Sequence, residues 1–277
     1  MDEPKFINAC QLRDQGRFTE AYREFIEVAE AASDSLDKAG ALLYASNTLE
    51  ISGQIEAATS KLKEAQVLME DRRASASGVD EKRAAFELFL DYETATLLWL
   101  QGRSPNAALD KFDAAIKKHG LAAAVNKQNL TPKEAHSQDF YESIQMRRSF
   151  ILADLGRWKE AMPILEGLES PREYKEAVAF YLGHCYVCCG EYSKAKPYLL
   201  SALNLGLPPN LKFRAHAELG IVYMALGGYA RAKIEFETTL QTADTNYLKD
   251  SAISKRLEIC CRQLGLQDEA EHYARMK

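Results

Sequence analysis

The sequence has no apolar run that approaches the roughly 20 residues a helix needs to cross a bilayer. Its first residues, MDEPKF, are acidic, whereas a secretory signal begins with basic residues and continues with apolar ones. The 277 residues carry a formal net charge of -5, which gives no general attraction to nucleic acid. We therefore expect a cytoplasmic protein that binds neither membranes nor nucleic acid.

Sequence motifs for catalysis are also lacking. There is no Gly-x-Ser-x-Gly motif, no glycine-rich phosphate loop and no His-Glu-x-x-His pair. The five histidines are scattered along the chain, at His119, His136, His184, His216 and His272. We therefore predict that the protein is not an enzyme, and we assign it no catalytic residue, no metal site and no cofactor.

The six cysteines do not suggest a disulfide framework. Five of them cluster within two predicted helices, where adjacent side chains point in different directions, and one stands alone. They are Cys185, Cys188 and Cys189, then Cys260 and Cys261, and the isolated Cys10. This cysteine usage fits a reducing compartment.

One of these clusters permits a second interpretation. His184, Cys185 and Cys188 are the residue types of a soft metal site or of a redox-active thiol. All three fall in one predicted helix, however, and no second Cys-x-x-Cys stands at zinc-site spacing. Cysteine is also a common small core residue. We therefore expect packing, and keep a metal- or thiol-redox-responsive protein as an alternative.

What the sequence does contain is a repeat marked by glycine. Seven glycines occur at intervals of 37, 49, 54, 34, 37 and 38 residues. They are Gly16, Gly53, Gly102, Gly156, Gly190, Gly227 and Gly265. Intervals of 34 to 38 residues are typical of a solenoid built from two-helix repeats. The two longer intervals predict insertions.

The pattern is sharpest in two neighbouring units, which carry the same residue types at the same offsets. They are Leu182, Gly183, Tyr186, Gly190, Tyr192 and Ala195 in one unit, and Leu219, Gly220, Tyr223, Gly227, Tyr229 and Ala232 in the next. The later glycine of each unit predicts a left-handed turn that ends the first helix. The pattern resembles the tetratricopeptide repeat, which implies an all-α, right-handed α-solenoid of about seven helix-turn-helix repeats.

We predict one domain, residues 1–277, because a solenoid grows by stacking neighbours and needs no second core. The predicted repeats span about 3–34, 36–73, 80–119, 137–170, 174–208, 210–244 and 246–277. Insertions at about 74–80 and 120–136 interrupt them.

The resemblance also implies where a partner binds. In tetratricopeptide-repeat proteins the first helix of each repeat lines a concave groove, and the matching offsets select mainly apolar and aromatic positions here. The predicted partner-binding residues are Leu43, Asn47, Tyr92, Trp99, Met146, Phe150, Phe180, His184 and Met224. Exposed aromatic and methionine side chains favour docking of an apolar peptide or helix. Tightly coiled repeats bury the same residues against one another, so internal packing is the alternative to partner contact.

The predicted function is a noncatalytic scaffold or adaptor that binds a peptide or helix of a partner protein in this groove. The carboxylate clamp of chaperone-binding repeats is not expected, since only Asn47 occupies a matching position. Besides the thiol or metal alternative, a self-assembling structural subunit is possible, with self-association through the terminal repeats.

Overall fold

The computed structural model describes residues 2–73, 81–102, 104–121, 132–168, 174–243, 247–248 and 252–276. Within these ranges the protein is helical and has no β-strand, as the repeat predicts. The helices longer than one turn are α1 (Glu3–Asp14), α2 (Phe18–Ala31), α3 (Ser35–Ile51), α4 (Ile55–Arg73), α5 (Glu81–Leu100), α6 (Pro105–His119), α7 (Pro132–Asp154), α8 (Trp158–Gly167), α9 (Lys175–Cys188), α10 (Tyr192–Leu205), α11 (Pro209–Ala225), α12 (Tyr229–Thr242), α13 (Ile253–Gln263) and α14 (Gln267–Arg275).

These helices form seven consecutive pairs, each made of a first, odd-numbered helix and a second, even-numbered one. The two helices pack against each other in the pairs that begin with α1, α3, α5, α9, α11 and α13. Successive first helices also pack side by side, as α3 does with α5 and α9 with α11. This is the arrangement of a helical solenoid. The predicted insertion at 74–80 lies outside the described residues, as do residues 122–131 of the second insertion.

A left-handed glycine joins the two helices of each pair. Gly190 has a φ of 75°, and its N–H donates to the Val187 carbonyl at 2.9 Å. The next N–H, of Glu191, reaches back to the Tyr186 carbonyl, also at 2.9 Å. These bonds satisfy carbonyls at the end of α9, and a residue with a Cβ rarely adopts such a φ. The other six glycines have φ between 65° and 81°, so the seven predicted turns are confirmed.

Small residues let the paired helices approach closely. A Cβ added to Gly183 would lie 2.7 Å from Leu199 Cγ, and one added to Gly220 would lie 2.6 Å from Phe236 Cδ1. Ala232 is fully buried in the second of these pairs. Leu199 and Phe236 therefore pack directly against the backbone of the preceding first helix.

The contacts divide the chain into two compact units, Met1–Ile144 and Gln145–Lys277. A series of aromatic rings runs through the core of the first unit. Phe6 contacts Tyr44 at a centroid distance of 4.8 Å, and Tyr44 contacts Phe89 at 5.0 Å, both edge to face.

The single domain predicted over residues 1–277 stays a prediction. No helix among the described residues combines the length and apolarity needed to cross a membrane.

The Gly220→Ala variant tests the close crossing. We expect a loss of about 1–2 kcal/mol in unfolding free energy, because overpacking costs about 1–3 kcal/mol and alanine regains at most about 1 kcal/mol of helix propensity. Gly167→Ala is the matched control, since Gly167 is also helical and nothing lies within 4 Å of its added Cβ. Urea unfolding of both variants gives the measurement. Equal stabilities would show that the crossing tolerates a methyl group.

Candidate functional site

The nine predicted partner-binding residues all lie on first helices, and most of them are buried. Six are at most 8% exposed: Leu43, Asn47, Tyr92, Met146, Phe150 and Phe180. The other three, Trp99, His184 and Met224, are half-buried. The six buried side chains offer no open apolar groove in the free chain. Partner contact by these residues stays a prediction.

Packing between first helices explains this burial. The ring of Phe150 on α7 stacks on Tyr181 of α9, with centroids 4.3 Å apart and planes 15° apart. In the first unit, Tyr92 packs against Phe112 at 6.0 Å and against Phe140 at 6.1 Å. The internal-packing interpretation therefore describes these aromatic residues better than exposure does, because neighbouring helices occupy the space that a partner would need.

A polar chain links three first helices in the first unit. Arg13 Nη1 on α1 donates to Asn47 Oδ1 on α3 at 3.2 Å, and Asn47 Nδ2 donates to Glu93 Oε1 on α5 at 2.8 Å. Glu93 is fully buried, and the Arg13 guanidinium lies 5.6 Å from the centre of the Tyr44 ring. Asn47 thus has two intramolecular hydrogen-bond partners, one on each neighbouring first helix.

Two charged pairs lie on the first helices of the second unit. The first joins Arg214 Nη2 on α11 to Asp154 Oδ1 on α7 at 3.0 Å, and Tyr181 Oη donates to the other Asp154 oxygen at 3.1 Å. The guanidinium also lies 5.2 Å from the centre of the Phe180 ring. Burial is the largest single effect on the pKa of Arg214 and lowers it, but Asp154, Tyr181 and Glu218 together raise the pKa above its ordinary value, so Arg214 remains charged. Three first helices therefore converge on one carboxylate.

The second pair joins His184 on α9 to Glu218 on α11. His184 Nδ1 lies 2.5 Å from Glu218 Oε1, and His184 Nε2 lies 3.8 Å from Cys188 Sγ. The His184 ring also runs nearly parallel to that of Phe180, at 6.3 Å. His184 is thus held on three sides, by a carboxylate, a thiol and an aromatic ring.

The surroundings of His184 favour its charged form. Burial lowers the pKa of His184, but the hydrogen bonds to Cys188 and Glu218 raise it, and the net result is a pKa of about 10. Glu218 is only 8% exposed, and its Oε2 has no hydrogen-bond partner among the residues that the structure describes. At neutral pH the pair is therefore an imidazolium against a mostly buried carboxylate.

The structure does not assemble His184, Cys185 and Cys188 into a metal site. Within the described ranges, no three His, Cys, Asp or Glu side chains come together in a way that could hold a metal ion. Cys185 is fully buried, and that burial raises the pKa of its thiol to about 12. The groups that contact the two ring nitrogens of His184 are Glu218, from the neighbouring helix α11, and Cys188.

Sequence reasoning missed the charged partners Glu93, Asp154, Arg214 and Glu218. A signal for two of these contacts exists, because Arg13 and Asn47 are 34 residues apart, as are His184 and Glu218. Polar residues on successive first helices therefore face each other at a separation three residues, about one helical turn, short of the 37-residue interval between the turn glycines of those repeats. Asp154 and Arg214 are 60 residues apart, and no single repeat interval predicts that pair.

Comparison with solved structures identifies the fold. The apo form of RapI aligns with a TM-score of 0.59 and 14% identity over 99% of this chain and 74% of its own. The protein pilF of Pseudomonas aeruginosa aligns with a TM-score of 0.54 and 16% identity over 86% of this chain and 90% of its own. No protein-family model matches the sequence, and no curated protein matches it.

The chain has the tetratricopeptide-repeat fold. The seven glycine-turned helix pairs and the close crossings at Gly183 and Gly220 are the features that carry the resemblance. Identities of 16% and 14% with the pilF and RapI structures bear on the fold alone.

Phe180→Ala distinguishes packing from partner contact in this tetratricopeptide-repeat fold. We expect the unfolding free energy to fall by about 3–5 kcal/mol, the usual cost of truncating a fully buried aromatic residue. Met224→Ala, at a half-buried predicted groove position, should cost clearly less. Urea unfolding monitored by circular dichroism measures both. A loss below about 1 kcal/mol at Phe180 would contradict its assignment to the core.

The pH dependence of stability tests the state of His184. Its folded pKa of about 10 lies above the unfolded value of about 6.5. The stabilisation is therefore complete below about pH 6.5 and is lost as the pH rises through about 10. We expect the difference in unfolding free energy between the native chain and His184→Gln to shrink by about 1 kcal/mol or more from pH 6 to pH 10. A constant difference would mean that folding leaves the pKa of His184 unchanged.

Proposed function

We propose that this protein is a noncatalytic scaffold in the cytoplasm that binds a peptide or helix of a partner protein on its first helices. The fold supports an interaction role in general terms, because stacked repeats present a continuous surface. The choice of surface rests on the side chains of the second unit.

The observation that carries the proposal is the pair of charged contacts on α7, α9 and α11. Asp154 with Arg214, and His184 with Glu218, hold four charged side chains in fixed positions that retain partial access to solvent, at 11–29% side-chain exposure. Side chains ordered before binding lose little conformational entropy when a flexible peptide docks. Fixed donors and acceptors of this kind orient a ligand and select its polar groups.

Half-buried apolar side chains lie on the same helices, close in sequence to the His184–Glu218 pair. Ile221 and Met224 lie within two turns beyond Glu218 on α11, and both are half-buried. Val187 on α9 is half-buried as well. A partner segment with a few apolar side chains beside polar groups fits this surface better than the apolar peptide or helix predicted from the sequence.

Among the nine residues predicted from sequence, three retain accessible surface for this role. They are Trp99 in the first unit, and His184 and Met224 in the second. We propose these three as partner contacts. The six buried residues would act on binding indirectly, by fixing the helices that carry the exposed ones.

A matched pair of double variants tests the surface. Ile221→Ala with Met224→Ala removes the proposed apolar contacts, while Ile234→Ala with Met276→Ala removes the same residue types from exposed positions on α12 and beyond α14. Affinity capture from the source lysate with the native chain supplies a partner. Titration calorimetry with that purified partner should then show a Kd about tenfold higher for the first double variant and unchanged for the second, a difference of about 1.4 kcal/mol.

Unfolding free energies of both double variants serve as the control for folding. If the two bind the partner equally well while folded, the interaction lies on another surface, and the proposal for the first helices fails.

A further inference from the structure

Three side chains on α9 and α11 form an array, of which the scaffold role uses the His184–Glu218 pair and leaves Cys188 without a role. Cys188 Sγ lies 3.8 Å from His184 Nε2, and the other ring nitrogen of His184 lies 2.5 Å from Glu218 Oε1. Cys188 is exposed, while Glu218 is mostly buried. A carboxylate thus orients an imidazole, and the imidazole faces an accessible thiol.

This order of groups is the one that activates a cysteine. The thiolate is the reactive form, and an adjacent imidazolium stabilises it. We propose that Cys188 is a reactive thiol that forms mixed disulfides with low-molecular-weight disulfides, with His184 stabilising the thiolate and Glu218 acting as the positioning residue. The assignment is independent of the identity of any partner protein.

The other cysteines lack this environment. Cys185, Cys260 and Cys261 are buried, and burial raises the pKa of each thiol. Cys10 and Cys189 are half-buried, and burial again raises the pKa of each. Among the six cysteines, Cys188 is the exposed one.

One feature of the fold opposes the thiolate. Cys188 is the last residue of α9, and a helix C-terminus carries roughly half a negative charge. The same partial charge stabilises the His184 imidazolium one turn earlier, and that imidazolium carries a full positive charge. The other titratable groups that act on this pair are Glu218 on α11 and the neighbouring thiols Cys185 and Cys189. Glu218 keeps His184 charged, so a full positive charge lies beside the thiol together with the half negative charge of the helix end.

The proposed reaction is thiol–disulfide exchange and needs no further oxidant. The Cys188 thiolate attacks one sulfur of R–S–S–R, a bond forms between Sγ and that sulfur, and the original S–S bond breaks. The second half leaves as the thiolate R–S⁻ and takes a proton from solvent. Cys188 is oxidised, the leaving half is reduced, and His184 keeps its proton throughout.

Stopped-flow reaction of the full, reduced chain with the aromatic disulfide dithiobis(nitrobenzoate) tests the proposal. The fastest phase should disappear in Cys188→Ser, which assigns it. At neutral pH we expect this phase to slow about threefold or more in His184→Gln. The neutral amide of glutamine leaves the attacking sulfur without the adjacent positive charge of the imidazolium.

Two further measurements separate activation from a structural effect. Glu218→Gln should slow the same phase, whereas Glu218→Asp, which keeps the carboxylate, should restore most of the rate. In the unmodified chain, the ultraviolet absorbance of a thiolate should be present at neutral pH and absent in Cys188→Ser. The absorbance measurement needs no variant at His184 or Glu218, so it remains decisive if those variants fail to fold.

The proposal is overturned if Cys188 reacts no faster than Cys10, or if the native chain shows no thiolate absorbance at neutral pH. A rate that is unchanged in folded His184→Gln would also overturn it. Incubation with oxidised glutathione, followed by peptide mass mapping, should place the adduct on Cys188, and an adduct confined to other cysteines would count against the assignment. None of these results bears on partner binding through Ile221 and Met224.

Discussion

The close crossing between the two helices of each repeat is the constraint on which the rest of the structure depends. Gly220 has no Cβ, so the Phe236 ring packs directly on the backbone of α11, and Leu199 does the same at Gly183. Such an approach fixes the distance and angle between paired helices, and the left-handed glycine that joins them fixes the direction of the chain. Each pair then has one remaining apolar face, which it buries by stacking on the next pair.

The stacking of successive repeats also determines which polar side chains meet. Residues 34 apart on successive first helices face each other, as Arg13 and Asn47 do, and as His184 and Glu218 do. A charge placed between stacked helices loses much of its hydration, so it requires a partner within the protein. Aromatic rings also contact these charged groups, as the ring of Phe180 does with the Arg214 guanidinium, 5.2 Å from the ring centre. The packing of the first helices therefore positions the aromatic rings and the charges together.

This packing between repeats explains what could and could not be predicted from the sequence. The turn at Gly190 and the crossing at Gly220 are local, since a few residues at fixed offsets determine them, and both are confirmed. The exposure of Phe150 is not local. It depends on how closely α9 approaches α7, which is set by the packing of Tyr181 against Phe150 and not by the offset within one repeat. Likewise, His184 was recognisable as a polar residue on a first helix, but its charge depends on a carboxylate in the next repeat.

The same coupling connects the thiol chemistry to the architecture. His184 contacts both Cys188 and Glu218, and both contacts raise its pKa against the effect of burial. His184 therefore joins the thiol at the end of α9 to a carboxylate on α11. The same two helices carry Val187, Ile221 and Met224. The proposed reactive thiol and the proposed partner surface thus depend on one interface, because the packing of α9 on α11 positions both.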